Sequence, residues 1–176
     1  MLIQGRVWVF GDNIDTDLMM PHIAFEKPRS EQAKWVFRTN RPGWVDMVRK
    51  GDILVAGNNF GLGSSRPAAL LFRQLGIDAI VADSVNGLFY RNCINFGLPA
   101  FNCPLVSKSF GEGDIAEIDP HAGTILNVTT GLSLKTGILP EMLLQIIAAG
   151  GLIELLTQDG YLEPSSNYIE VNNEPC

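Results

Sequence analysis

The chain has 176 residues, 46% of them hydrophobic and 18% charged, with a formal net charge of −6. That composition excludes a disordered or fibrous chain and supplies enough apolar surface for a real core. The acidic balance, with no basic block, argues against nucleic acid or an anionic membrane surface as the main partner.

Residues 6–10, RVWVF, are β-branched and aromatic up to Gly11 and read as a strand. The polar stretch DNIDTDLMMP, residues 12–21, follows as a loop. From His22 to Trp44 the pattern is weak, with one short helix expected over 30–37 and Ser30 as its N-cap. DILVAG, residues 52–57, reads as a buried strand, then a glycine-rich loop over 58–65 and a helix over 67–75. Pro67 suits the first helical turn, where its missing N–H leaves nothing unpaired, and Gly76 suits the helix end. IDAIVA, residues 77–82, is a second buried strand, so this unit implies a parallel pair with a right-handed crossover. Residues 85–95 read as another helix, ended by Gly97, and 98–103 as a third strand. Residues 116–128 resemble two strands about a turn at 120–123, and 138–151 a helix with a glycine stop. One domain is expected over 1–160, with a loose tail over 161–176.

No apolar run reaches the roughly 18 residues of a membrane span. The start, MLIQGRVWVFGDN, lacks the basic-then-apolar order of a secretion signal. Cys93, Cys103 and Cys176 are an odd set without a CxxC pair, which points to a reducing, cytoplasmic setting. By themselves they make no conventional zinc or iron–sulfur site, and no metal is expected on this chain.

The strongest chemical signal is NNFGLGSSRPAALL, residues 58–71. It lies between a strand end and a helix start, where open parallel sheets bind ligands and where N–H groups favour anions. Gly61 and Gly63 would let backbone approach a ligand closely. Arg66 has the fork to grip a carboxylate or phosphate, and Ser64 and Ser65 add short donors. Two readings stand: an oxyanion site, or a structural turn with an exposed arginine. The loop is no P-loop, since GK[ST] is missing, and no dinucleotide fingerprint, since Gly57, Gly61 and Gly63 are spaced GxxxGxG. It contains no GxSxG either.

Asp12, Asp15 and Asp17 fail the calcium-loop series, because Met19 and Met20 take the fifth and sixth places counted from Asp15. They read instead as caps for backbone amides or as partners for an arginine. His22 and His121 are the only histidines and share no ligand spacing. His121 reads as a turn residue, and His22, just after the acidic loop, is the one placed to meet a ligand.

GDNIDTDLMMP, GDILVAGNNFGLGSSR and LFYRNCINFGLP together resemble the small subunits of 3-isopropylmalate dehydratase, free-standing counterparts of the aconitase swivel domain. The resemblance covers residues 3–155. It implies an α/β fold of the swivelling β/β/α type. It implies assembly with a large subunit that carries a [4Fe-4S] cluster, and no cofactor on this chain. It also implies a hydro-lyase of 2-hydroxy di- or tricarboxylic acids, with iron as the Lewis acid and a small-subunit serine as the base. Position by position, Ser64 matches that base, and Ser65 and Arg66 match the substrate-carboxylate binders on the Gly61–Gly63 loop. Asp15, Thr16 and Asp17 match the family's DTD motif and are read as supports for the loop. A free serine is a poor base, so an alkoxide there needs positive charge and oriented N–H groups.

The chain also departs from the common family form. Many members read GCGSSREHA where this chain reads GLGSSRPAA, so Leu62 replaces a cysteine and Pro67 and Ala68 replace a Glu–His pair. After the DTD motif many read PARYL; here the stretch is PHIAF, placing His22, Ile23 and Phe25 in the specificity loop and Ile23 where an arginine is common. Apolar Ile23 and Phe25 suit an alkyl group better than a third carboxylate. The expected substrate is therefore a small dicarboxylic acid, an alkyl-substituted malate: 3-isopropylmalate, on the route to leucine, with 2,3-dimethylmalate or citramalate as runner-up. A non-catalytic partner that stabilises a large subunit is the competing class, and the intact Ser64–Ser65–Arg66 triplet argues against it.

Overall fold

A computed structural model describes residues 2–163. Its strands are β1 (Ile3–Phe10), β2 (Asp52–Ala56), β3 (Ile77–Ala82), β4 (Ala100–Asn102), β5 (Ile115–Asp119), β6 (Thr124–Asn127) and β7 (Leu132–Lys135). They form one mixed sheet in the order β4-β3-β2-β1-β5-β6-β7. β1 joins its two halves. Its later residues, from Val7 to Phe10, pair in parallel with β2, and its earlier ones, from Ile3 to Arg6, pair antiparallel with β5.

Every residue of β2 is buried, so alternate side chains feed two cores on opposite faces. Leu54 and Ala56 join Ile80 and Ala82 of β3 on one face; Ile53 and Val55 join Ala79 and Val81 on the other. The first core is aromatic. Phe10 and Phe37 stack at 4.4 Å, and Trp44 meets Phe37 edge-on at 5.1 Å. The second is mostly aliphatic, with Phe101 and Phe110, and is closed by Leu144, Ile146 and Ile147 of the Glu141–Ala149 helix.

The parallel unit β2–helix–β3 and the antiparallel β5–β6 pair follow the sequence reading. Several details differ for local reasons. The helix after the glycine loop runs Ala68–Gln74, and Pro67 is its N-cap with a non-helical ψ of 38° instead of its first residue. Ser30 caps nothing: the turn Arg29–Gln32 begins behind Pro28, whose ring presets the backbone, and passes into a 3-10 turn, Ala33–Trp35. The stretch read as a polar loop contains a one-turn helix, Thr16–Met19, because Asp15 Oδ1 accepts the Leu18 N–H at 2.7 Å. β7 and the helix Leu152–Gln158 went unread. β7 is a mostly exposed edge strand, and the helix restarts immediately after Gly150 and Gly151 turn the chain. Beyond residue 163 the loose-tail expectation lies outside the described residues. Among the described residues no single helix is long and apolar enough to cross a membrane.

Candidate active site

Parallel strands bring their carboxyl ends to one edge of the sheet. There the loops after β1, β2 and β3 continue the pairing beyond the strands. Asn13 N donates to Asn58 O at 2.8 Å, Gly61 N to Ile14 O at 2.8 Å and Thr16 N to Leu62 O at 2.9 Å. On the other side Phe60 N donates to Ser84 O at 3.0 Å and Asn86 N to Phe60 O at 2.8 Å. Asp12 fastens the start of the glycine loop, its Oδ1 accepting from Asn58 N at 2.6 Å.

The two loop glycines are required for packing. Gly61 is buried with φ +82°, and a Cβ there would fall 2.3 Å from the Phe89 ring. The side of Gly61 that a Cβ would occupy thus faces the Gly87–Asn95 helix. Gly63, at φ +104°, is exposed and would set a Cβ 3.1 Å from Thr16 Oγ1. Thr16 is buried, and its Oγ1 donates to Ser64 O at 2.9 Å. The middle residue of DTD thus holds the backbone of the proposed base.

Ser64 and Ser65 are exposed. Asn92 Nδ2 donates to Ser65 Oγ at 3.2 Å. Sequence reasoning missed Asn92 as a site residue. The available signal was its place in LFYRNCINFGLP, one helical turn after the Phe89 that faces Gly61.

Arg66 departs most from expectation. Its Nη1 donates to Met20 O at 2.8 Å, its Nε reaches Ser64 Oγ at 3.3 Å, and Asp17 Oδ1 lies 2.7 Å from the same Nε. Its side chain is only 15% exposed, whereas that of Asp17 is 63% exposed. The guanidinium is therefore committed to its own chain on two nitrogens, and Nη2 meets no acceptor among the described residues. Phe25 lies against the guanidinium, with Cζ 5.1 Å from the ring centroid. Phe25 sits on the 3-10 turn His22–Glu26 together with Ile23, and both are largely exposed. The His22 ring is 6.3 Å from that of Phe25. The fold thus gathers Ser64, Ser65, Arg66, Asp15, Thr16, Asp17 and Phe25 at one edge. His121 lies elsewhere, at the β5–β6 turn, where Asp119 Oδ1 accepts its N–H at 2.9 Å.

The two described thiols do not suit a cluster. Cys93 and Cys103 belong to cores on opposite faces of the sheet, and burial pushes both thiols up. Among the described residues no three His, Cys, Asp or Glu come together as a metal site. A cavity of about 510 Å³ lies at the far end of the sheet, lined by Leu2, Arg73, Asp78 and Pro99 among others. The serine loop, by contrast, is exposed at Gly63, Ser64 and Ser65.

The aconitase C-terminal domain family matches residues 16–104, from the DTD threonine to just past β4. An isopropylmalate/citramalate isomerase small subunit from Methanocaldococcus jannaschii is 44% identical over 158 residues, covering 88% of this chain and 94% of its own length. A 3-isopropylmalate dehydratase small subunit from Nautilia profundicola is 47% identical over 155 residues, covering 86% and 92%. The chain belongs to the 3-isopropylmalate dehydratase small-subunit family. A crystal structure of 3-isopropylmalate dehydratase from Methanocaldococcus jannaschii matches it with a TM-score of 0.84 at 34% identity, over 92% of this chain and 96% of that one. The likeness extends through the antiparallel half that the family match leaves out. This small-subunit fold is thus the α/β swivel type that the motifs implied.

Proposed function

We propose that this chain is the small subunit of a hydro-lyase that dehydrates and rehydrates an alkyl-substituted malate, 3-isopropylmalate foremost, and so interconverts its 2- and 3-isomers. The carrying observation is the exposed Ser64 hydroxyl with the Arg66 guanidinium N–H 3.3 Å from its oxygen. A cation beside that oxygen favours the alkoxide over the hydroxyl, which is what a serine base needs; the single Nε hydrogen of Arg66 is shared with Asp17 Oδ1, 2.7 Å away. Thr16 holds the Ser64 carbonyl, so the hydroxyl is presented from a fixed backbone.

In this reading Ser64 Oγ takes the proton from the carbon beside the hydroxyl-bearing one and returns it on rehydration. Ser65 Oγ and Arg66 Nη2 bind a substrate carboxylate. Ile23 and Phe25 meet the alkyl group. Asp17 and Met20 O aim the guanidinium, and Asp15 caps the turn that carries them. Among the described residues none come together to fit an iron–sulfur cluster; in this reading that group sits on the large subunit, where it would supply Lewis acidity toward the substrate hydroxyl.

The test is to co-express the chain with its cognate large subunit, load the cluster anaerobically and follow formation of the unsaturated acid. Turnover should be most efficient with 3-isopropylmalate among 3-isopropylmalate, citramalate and 2,3-dimethylmalate. A cluster-loaded complex that turns over none of them would defeat the enzyme reading. A preference for citramalate would shift the substrate and leave the reaction class standing.

Arg66→Lys probes the same site. A lysine cannot span Met20 O, Asp17 and Ser64 Oγ together, so kcat/KM should fall about 100-fold. Unchanged steady-state constants would remove Arg66 from the site.

A further inference from the structure

Residues 21–36 leave the site and return to it. The excursion starts after Met20, whose carbonyl accepts from Arg66 Nη1 at 2.8 Å. It ends at Phe37, whose N–H donates to Met19 O at 3.2 Å and whose buried ring stacks on Phe10. Both ends are thus tied to adjacent residues, and between them Ala24 and Val36 are buried in the aromatic core.

The near arm is the His22–Glu26 turn, which lays Phe25 on Arg66. The far arm is the pair of turns Arg29–Gln32 and Ala33–Trp35, neither of which has a buried residue. Ala33 and Trp35 are half-buried against the aromatic core, which anchors the far arm. Trp35 also ties the two arms together. Lys27 Nζ, immediately after the near arm, lies 5.0 Å from the Trp35 ring centroid, and Arg38 Cζ lies 4.3 Å from it. Gln32 Nε2 adds a bond to Lys27 O at 3.2 Å. A cation on an indole face is attracted by the ring quadrupole, and two cations on one indole fix its place relative to both flanking segments.

We propose that Trp35 is a positioning residue for substrate selectivity: held by Lys27 and Arg38, it fixes the His22–Glu26 turn so that Ile23 and Phe25 meet the alkyl substituent beside Arg66. This rests on the reading of the chain as an alkylmalate dehydratase subunit. An apolar contact to a part of the substrate that does not react stabilises ground and transition states alike. Its loss therefore appears in KM and selectivity more than in kcat.

The experiment uses the assembled, cluster-loaded complex. Trp35→Ala should raise KM for 3-isopropylmalate about tenfold, with kcat within about twofold, and lower the preference over citramalate by a similar factor. Trp35→Phe, which keeps an aromatic face, should recover to within about threefold of wild type. Lys27→Met combined with Arg38→Met keeps the indole, removes both cations and should raise KM about threefold. Backbone amides of residues 22–32 should exchange with deuterium about tenfold faster in Trp35→Ala, with β2 and β3 unchanged. Unchanged KM and selectivity in Trp35→Ala, or a fall in kcat alone, would overturn the proposal. If Trp35→Ala does not assemble, the double variant decides, and wild-type behaviour there overturns it. If the wild-type complex turns over no alkylmalate, the functional reading has failed. Exchange then still judges the clamp, and unchanged exchange in Trp35→Ala removes it.

Discussion

Ser64→Ala is expected to lower kcat by about 10²–10⁴-fold, the usual worth of a positioned general base, with little effect on KM or assembly. The structural reason for the clean separation is that the Ser64 backbone and side chain do different things. Its carbonyl receives the Thr16 hydroxyl at 2.9 Å, a bond that alanine keeps. Its side chain is exposed, and the Arg66 contact at 3.3 Å is long. Stability should therefore change by no more than about 0.5 kcal/mol, as for other surface substitutions. The measurement pairs kcat with co-elution of the two subunits on a sizing column. Near wild-type turnover in a complete complex would take Ser64 out of the proton transfer. A variant that no longer binds the large subunit would instead make Ser64 part of the interface.

Asp52→Asn should cost about 3 kcal/mol of stability at neutral pH, in the range for breaking a buried ion pair. For a chain of this size that lowers Tm by about 10 °C. Asp52 begins β2, at the end of the sheet away from the serine loop, and is 3% exposed. Its carboxylate accepts from Arg6 Nε at 3.2 Å, Arg6 Nη2 at 2.6 Å, Trp8 Nε1 at 2.7 Å and Arg49 N at 2.8 Å. Burial alone would push this carboxyl up, but the Arg6, Arg49 and Trp8 donors together hold it below the ordinary carboxylate value.

That direction sets the pH dependence. The unfolded chain takes up the proton first, near about pH 3.9 for an aspartate, and the folded one only below that. The stabilisation is therefore complete above the unfolded value and is lost as pH falls through the lower folded value. The gap between wild type and Asp52→Asn should be widest at neutral pH and close as pH drops below about 4. Urea unfolding of both chains across pH 3 to 7 checks it. A gap that widens in acid would show that Asp52 is not held as the anion.

The serine triplet and the DTD carboxylates stood out in the sequence because chemistry restricts which residue types serve, and capping acts within one turn. Asp15 capping Leu18 is such a case. β2 and β3 were legible as short apolar runs with both faces buried beyond their first two residues. β7 was not, because its alternation, LSLK, is only four residues long and largely exposed. Ser30 misled because Pro28 upstream sets where the turn begins.

The direction in which Arg66 points was also beyond reach. The competing acceptor, Met20 O, belongs to a segment 46 residues earlier, delivered only when β1 and β2 pair. The need for glycine at 61 was visible, but its cause, the Phe89 ring, arrives with a later helix.

By itself, then, the sequence determined the local matters: which groups could act on a proton or a carboxylate, where turns are capped, and which strands must be buried on both faces. Each depends on neighbours within a turn or on side-chain alternation along one strand. Only the tertiary structure decided which partner each charged group takes. It turned Arg66 inward, gave Asp52 its four donors and set Trp35 against both Lys27 and Arg38. Hydrogen bonds and ring contacts act over a few ångströms, so their partners are settled only when distant segments meet in space.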